Sequence, residues 1–225
     1  MVQLPLPAPA SPGGGRFGVV LGIDRHRLAE VARRHGCVLV ILVRHGQYVP
    51  SGGALAAVHG GTVPSNDEVV RCFHLGRGRT MYQDPAFGIR QLVDVAIQAL
   101  SPALNQAGTA TQVVDRLVDI LLRLARQPWP TGLFVDDDDV VRLVEHRDDW
   151  AQLLSLSFTE IEIDGAGSPQ VTRRLAAAYD RLEREVPPDL AAALAPRRAA
   201  LEAAVAHAGR VDPQLALAPD PLGMG

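Results

Sequence analysis

Apolar residues recur along this chain with two different periods. From Phe17 to Ile23 they run almost continuously (FGVVLGI), and the run predicts a strand. Asp24 then stands where a helix cap is needed. Leu28, Val31 and Ala32 follow on one face of a short helix reaching about His35. Cys37–Val43 (CVLVILV) is β-branched and apolar at every position, the pattern of a strand covered on both faces. In the RHGQYVPSGGALAAV segment that follows, Gly46, Pro50, Gly52 and Gly53 punctuate two further short strands.

After Ser65 the period becomes helical. Ser65 or Asn66 caps a helix expected to run to about Leu75. Asp84–Pro85 opens a long one, predicted to reach Leu104 with a kink or break at Ser101–Pro102. A helix over Thr109–Arg126 carries Val113, Leu117, Leu121 and Leu124 at core spacing. Its other faces are also apolar, which makes it central. Leu133–Val135 and Val140–Val144, separated by four Asp residues, read as a β-hairpin. Trp150–Ile163 fits both periods and is taken as a helix. Ser168–Pro169 starts another, with Val171, Leu175, Ala178, Leu182 and Val186 on one face. Pro187–Pro188 breaks it. Asp189 caps a last helix that Pro196 is expected to kink.

These elements predict an α+β protein. A small, β-rich, barrel-sandwich-like lobe (16–64) precedes a mainly helical domain (65–210) with the hairpin inserted at 133–144. A Pro/Gly-rich leader (1–15) and a tail (211–225) read as flexible. The leader has neither the basic start nor the apolar run of a signal peptide, and no stretch of about 20 apolar residues is present.

Composition narrows the chemistry. All 22 basic residues are Arg. Without Lys there is no Schiff base, no lysine-linked pyridoxal, biotin or lipoyl group, and no P-loop lysine. A net charge of −3 and dispersed Arg residues argue against a nucleic-acid partner. Cys37 and Cys72 suggest no metal spacing or disulfide framework, which points to a reducing cytoplasm. The seven His residues form no metal-binding motif, and Asp136–Asp139 reads as a hairpin tip kept soluble by charge. No metal or cofactor is therefore expected. The Ala-rich C-terminal helices suggest a homo-oligomer.

The block RTMYQDPAFGIRQLVDVAIQALSPALNQAGTATQVVDRL (Arg79–Leu117) resembles the core of a bacterial family of predicted membrane proteins, domain of unknown function 2254. Its pattern there is close to E-R-T, Q-D, F-G-x-R-Q-L-x-D-I-A, A-L-S-P and N-D-P-x-T-A. The likeness extends upstream to the glycine-punctuated strands and, more loosely, downstream through DDWAQLL and GSPQVTRRL. Members carry N-terminal membrane helices before a soluble region, so the resemblance implies a soluble version of that region without direct membrane insertion. Two acids of the pattern are absent: Gly78 stands for the Glu before Arg-Thr, and Asn105-Gln106-Ala107 for Asn-Asp-Pro. The glycine-rich segment also resembles the hairpins of biotinyl and lipoyl domains, without their acceptor Lys.

On the long helix Arg90, Asp94, Gln98, Ser101 and Asn105 fall within a stripe of about 80°, bordered by Gln91. One reading is a polar strip lining a pocket for a small organic ligand. Asp94 is then acid or base, Arg90 an anion clamp, and Ser101 and Asn105 hydrogen-bond partners. Arg79, Thr80, Gln83, Gln91, Gln98 and Thr109 would complete such a binding site. The other reading is a solvated face or structural network, with Arg90 and Asp94 as an i,i+4 pair. The corresponding functions are a small-molecule-binding or assembly module, or a cofactor-independent enzyme such as a cyclase, isomerase or lyase.

Overall fold

A computed structural model describes residues 8–10, 17–77, 85–129 and 131–208. Most of the leader, the tail, and Arg79, Thr80, Gln83 and Asp84 lie outside them. The chain divides into two units. One holds the residues up to Phe87 together with the hairpin region to Arg147; the other holds Gly88–Trp129 and everything from Asp148.

The first unit contains two open sheets. Neither closes on itself, so the lobe is barrel-like only in using two sheets. β1 (Ala8–Ala10), β2 (Gly18–Ile23), α1 (Arg25–Arg34), β3 (Val38–Ile41), β4 (Tyr48–Val49) and β5 (Ala56–His59) follow in order, then α2 (Asn66–Val70) and β6 (Phe73–Gly76). The chain returns with β7 (Leu133–Val135) and β8 (Val141–Glu145). The larger sheet has the order β1-β5-β3-β8-β7 and the smaller β4-β2-β6. Every pairing is antiparallel except β3 with β8, where Leu39 lies opposite Leu143. Leu28, Val31, Leu39, Ile41, Leu55, Val69 and Leu143 are buried in one cluster, and Phe134 packs against it.

The start of α1 follows the sequence expectation: the Asp24 carboxylate accepts from the Arg27 N–H at 3.0 Å, and Leu28, Val31 and Ala32 are buried. The helix expected to reach Leu75 does not. α2 keeps its capping box, in which Ser65 and Glu68 bond each other's backbone N–H, and stops at Val70. Beyond it Phe73 is buried, His74 exposed and Leu75 half-buried, a two-residue alternation, and the segment pairs with β2. A partner strand far away in sequence overrides the helical period. Gly18 is required there. Its φ is +146°, and a Cβ would stand 2.6 Å from the Gly76 carbonyl oxygen.

The returning hairpin is tied down by charge. Arg25, at the start of α1, donates from Nε and Nη2 to the two oxygens of Glu145 on β8, each at 2.7 Å. Arg147 Nε lies 3.1 Å from the same carboxylate, which is 4% exposed. Burial pushes the Glu145 pKa up, but the bonds from Arg25 and the fields of Arg25, Arg147 and His45 outweigh it and hold it below its ordinary value. At the tip Asp136 accepts from the N–H groups of Asp138 and Val140 and from Arg142 Nε at 2.6 Å. This carboxylate is used by its own turn.

The second unit is helical: α3 (Pro85–Leu100, from Gly88 on), α4 (Ala107–Ala125), α5 (Trp150–Gly165), α6 (Pro169–Glu185), α7 (Pro188–Ala191) and α8 (Leu194–Ala208). α4 is central as its apolar faces predict, with Val113, Val114, Leu117, Val118, Leu121 and Leu122 all buried. Leu124, expected in the core, is half-buried. The ambiguous segment is helical and starts with a second capping box, Asp149 and Gln152. Of the kink or break expected at Ser101–Pro102, the structure has the break: α3 ends at Leu100. The Gln106 N–H then reaches back to the Ala99 carbonyl at 2.7 Å, with Asn105 left-handed at φ +48°. Pro196 does not kink the last helix. It falls in the first turn of α8, where a missing N–H costs nothing, and the break comes before Leu194.

A buried polar group joins three of these helices. The Tyr179 hydroxyl donates to Glu162, both almost fully buried. Arg197 on α8 lies 3.4 Å from the same carboxylate and donates to Thr159. Burial raises the Glu162 pKa against the opposing effects of Tyr179 and Arg197.

Removing the Arg25 side chain leaves a buried carboxylate without the two hydrogen bonds that hold it. Arg25→Ala is expected to cost about 2–3 kcal/mol in urea unfolding at pH 7. Because the folded Glu145 pKa is depressed, the pair's contribution is complete above the ordinary carboxylate value of 4.5 and fades as pH falls below it. The difference between wild type and variant shrinks over that same range.

Candidate functional site

α3 buries Ile89, Val93, Ala96 and Ala99, a spacing of three to four residues that turns one side of the helix inward. The polar stripe therefore emerges on the other side. Gln91, Asp94 and Gln98 are exposed, and Arg90 is half-buried at its edge. Arg90 Nε and Nη2 donate to Asp94 Oδ1 at 2.7 and 2.5 Å. Its Nη1 and Nη2 also donate to the two oxygens of Glu160 on α5, the latter at 2.8 Å. The bonds from Glu160 and then Asp94 raise the Arg90 pKa, and the bond from Arg90 lowers that of Glu160. The guanidinium thus faces two carboxylates of its own chain.

Ser101, Asn105 and Thr109 come together at the connection between α3 and α4. The Ser101 carbonyl accepts from the Leu104 and Asn105 N–H groups at 3.0 and 2.9 Å, and the Thr109 hydroxyl donates to the Gln106 side chain at 3.4 Å. Asn105 is exposed, and Ser101 and Thr109 are half-buried. Of the predicted residues described, Arg90 and Asp94 join an ion-pair cluster with Glu160 on α5, Ser101, Asn105 and Thr109 lie at the turn, and Gln91 and Gln98 are exposed on α3. Glu160, seventy positions beyond Arg90, carries no signal of its own in the sequence. Glu162 does carry one, since it is a carboxylate on the same side of α5 as Phe158 and Gly165.

In the first unit a hydroxyl, an imidazole and a carboxylate stand in line. His35 Nδ1 is 3.0 Å from Thr62 Oγ1, and His35 Nε2 is 3.4 Å from Glu68. The Thr62 hydroxyl also lies 3.3 Å from the His35 carbonyl, and Glu68 is committed to the α2 cap. The Ser65 hydroxyl and N–H, helped by His35, hold the Glu68 pKa down to about 2. These bonds fasten the α2 cap and the loop before it to the end of α1.

The family model described as "Predicted membrane protein (DUF2254)" matches residues 11–181. The chain belongs to this family. Among curated proteins it is 40% identical over 181 residues to Uncharacterized protein Rv1290c of Mycobacterium tuberculosis (strain ATCC 25618 / H37Rv). It is equally similar to Uncharacterized protein Mb1321c of Mycobacterium bovis (strain ATCC BAA-935 / AF2122/97). Each match covers 76% of this chain and 33% of the relative, so the chain spans about a third of their length. No solved structure matches it significantly. Among the described residues no helix is long and apolar enough to cross a membrane.

Family membership gives the turn after α3 a physical meaning. In the resemblance drawn from the sequence, Asn105, Gln106 and Ala107 stand where the family pattern has Asn-Asp-Pro. Gln106 is the N-cap of α4, and its side chain makes no capping bond. An Asp at the N-cap followed by Pro at the first helical position is a helix-start signature. Gln106→Asp is expected to raise unfolding stability by about 0.5–1 kcal/mol, read as an increase in the urea midpoint at constant slope.

Proposed function

We propose that this chain is a non-catalytic binding or assembly module, the counterpart of one part of the longer DUF2254 relatives. The observation that carries this reading is the Arg90 cluster. A guanidinium held by Glu160 and Asp94 is already neutralised, and a substrate anion would have to displace one of them. Asp94, the candidate acid or base, has its side chain 60% exposed, whereas tuned catalytic carboxylates are usually desolvated. Arg90 and Asp94 thus serve helix-to-helix fastening, and Ser101 and Asn105 a turn. Assembly is favoured over ligand binding by the exposed apolar side chains of the first unit, among them Leu42, Leu133, Val135 and Val140.

The alternative, a cofactor-independent enzyme or ligand-binding site centred on Arg90, Asp94, Ser101 and Asn105, makes a different prediction. On the assembly reading, sedimentation equilibrium from about 1 to about 100 µM gives a mass rising above that of a 24.0 kDa monomer. Asp94→Asn leaves both this mass and the melting temperature nearly unchanged, because the exposed pair is worth at most about 1 kcal/mol and Arg90 keeps Glu160. A strictly monomeric chain, stabilised saturably by an organic carboxylate in wild type but not in Arg90→Ala, would overturn the reading in favour of the alternative.

A further inference from the structure

β7 is an edge strand. Among the described residues it pairs only with β8. The Gly132 carbonyl accepts from the Glu145 N–H at 2.8 Å, and the Asp136 N–H donates to the Val140 carbonyl at 2.9 Å. Residues 132 and 136 therefore turn their peptide groups toward β8. By strand alternation Leu133 and Val135 turn theirs outward. Thr131 Oγ1 accepts from the Leu133 N–H at 3.2 Å and is the one side chain seen on this edge. Leu133 and Val135 are 52% and 53% exposed, while Phe134 packs on the core. The strand carries no charge or proline; what protects this edge is its three-residue length and an irregular pairing with β8 between Phe134 and Val135.

The two ends of β7 differ in charge. Beyond Val135 come Asp137, Asp138 and Asp139, all exposed. Before Leu133, Gly132 has φ +73°, and a Cβ there would meet the Glu145 carbonyl oxygen at 2.2 Å and the Arg147 side chain at 3.8 Å. At that end Arg147, with its side chain 35% exposed, stands beside the buried Glu145 carboxylate, which Arg25 already holds, and Asp148 and Asp149 follow it in the chain. An antiparallel copy of the strand brings Asp137–Asp139 of each chain toward the end of the other that carries Arg147.

We infer that β7 pairs with β7 of a second copy of this chain, antiparallel about a two-fold axis at Phe134, so that the two five-stranded sheets join into one. This rests on the assembly reading above and names its surface. The register is self-consistent. With Phe134 on the axis, Leu133 lies opposite Val135 of the second copy, and both turn their peptide groups outward. Each such pair exchanges two backbone hydrogen bonds once the Thr131 hydroxyl gives way. The same register places Leu133 and Val135 side by side on one face as two apolar cross-strand pairs. An isologous contact of this kind closes at two subunits.

The experiment is sedimentation equilibrium of the full chain as wild type, as Val135→Lys, and as the double variant Asp137→Lys/Asp138→Lys. Circular dichroism melts establish that each variant is folded. Both changes fall on exposed side chains. A charge on the edge is expected to weaken dimerisation about tenfold or more, and so is reversing the acidic end, with added salt weakening the wild-type dimer in the same direction. As an independent readout, Leu133→Cys and Val135→Cys chains are expected to cross-link when mixed and much less when alone, because this register sets unlike positions opposite each other. Wild type that associates while folded Val135→Lys keeps the same mass would overturn the β7 assignment and leave the assembly reading standing. A monomeric wild type would remove both.

Discussion

The parallel pairing of β3 with β8 is the constraint on which the first unit depends. β3 is apolar on both faces, with Leu39 and Ile41 in the core and Val38 and Val40 half-buried on the other side. Such a strand cannot remain at an edge without exposing both its backbone and its side chains. β5 covers one flank, and β8, about a hundred positions later, covers the other. Parallel neighbours cannot be joined by a tight turn, so the chain must make a long excursion between them. The first helices of the second unit lie within that excursion. The two-sided bond from Arg25 to Glu145 secures the return, and burial makes that bond costly to break.

Local signals were legible where local chemistry decides. Asp24, Ser65 and Pro169 mark true helix starts, and the acidic hairpin sits within one residue of its expected place. The crowded apolar faces of α4 announced a central helix. What could not be read was pairing at a distance. Phe73–Gly76 has a helical neighbourhood in sequence and becomes a strand only because β2 lies beside it. Nothing around Leu133 or Val144 says that the hairpin joins the sheet begun by residues before Gly60, because that choice belongs to β3.

The stripe on α3 shows the same limit at the level of chemistry. Its i,i+4 spacing correctly paired Arg90 with Asp94, yet the residue that settles the charge of the cluster is Glu160 on another helix. A lone guanidinium on a polar strip reads as an anion clamp, and one already facing two carboxylates reads as a fastener. Gln106 makes the parallel point: position 106 reads as a missing acid in one dimension and as an uncapped helix start in three. Both shifts move the account from catalysis toward architecture, and from α3 toward the edge that the hairpin adds to the sheet.

That account stands on the hairpin being part of the first unit's cooperative structure. Native-state hydrogen exchange measures this most directly. The amides of β3 and β8 that bond across the pair are predicted to share one opening free energy in wild type. That shared energy should fall in both strands together when Leu143 is changed to Ala, while α4 and α6 keep theirs. Exchange from β8 that is fast and independent of β3, or that tracks α4 instead, would contradict it.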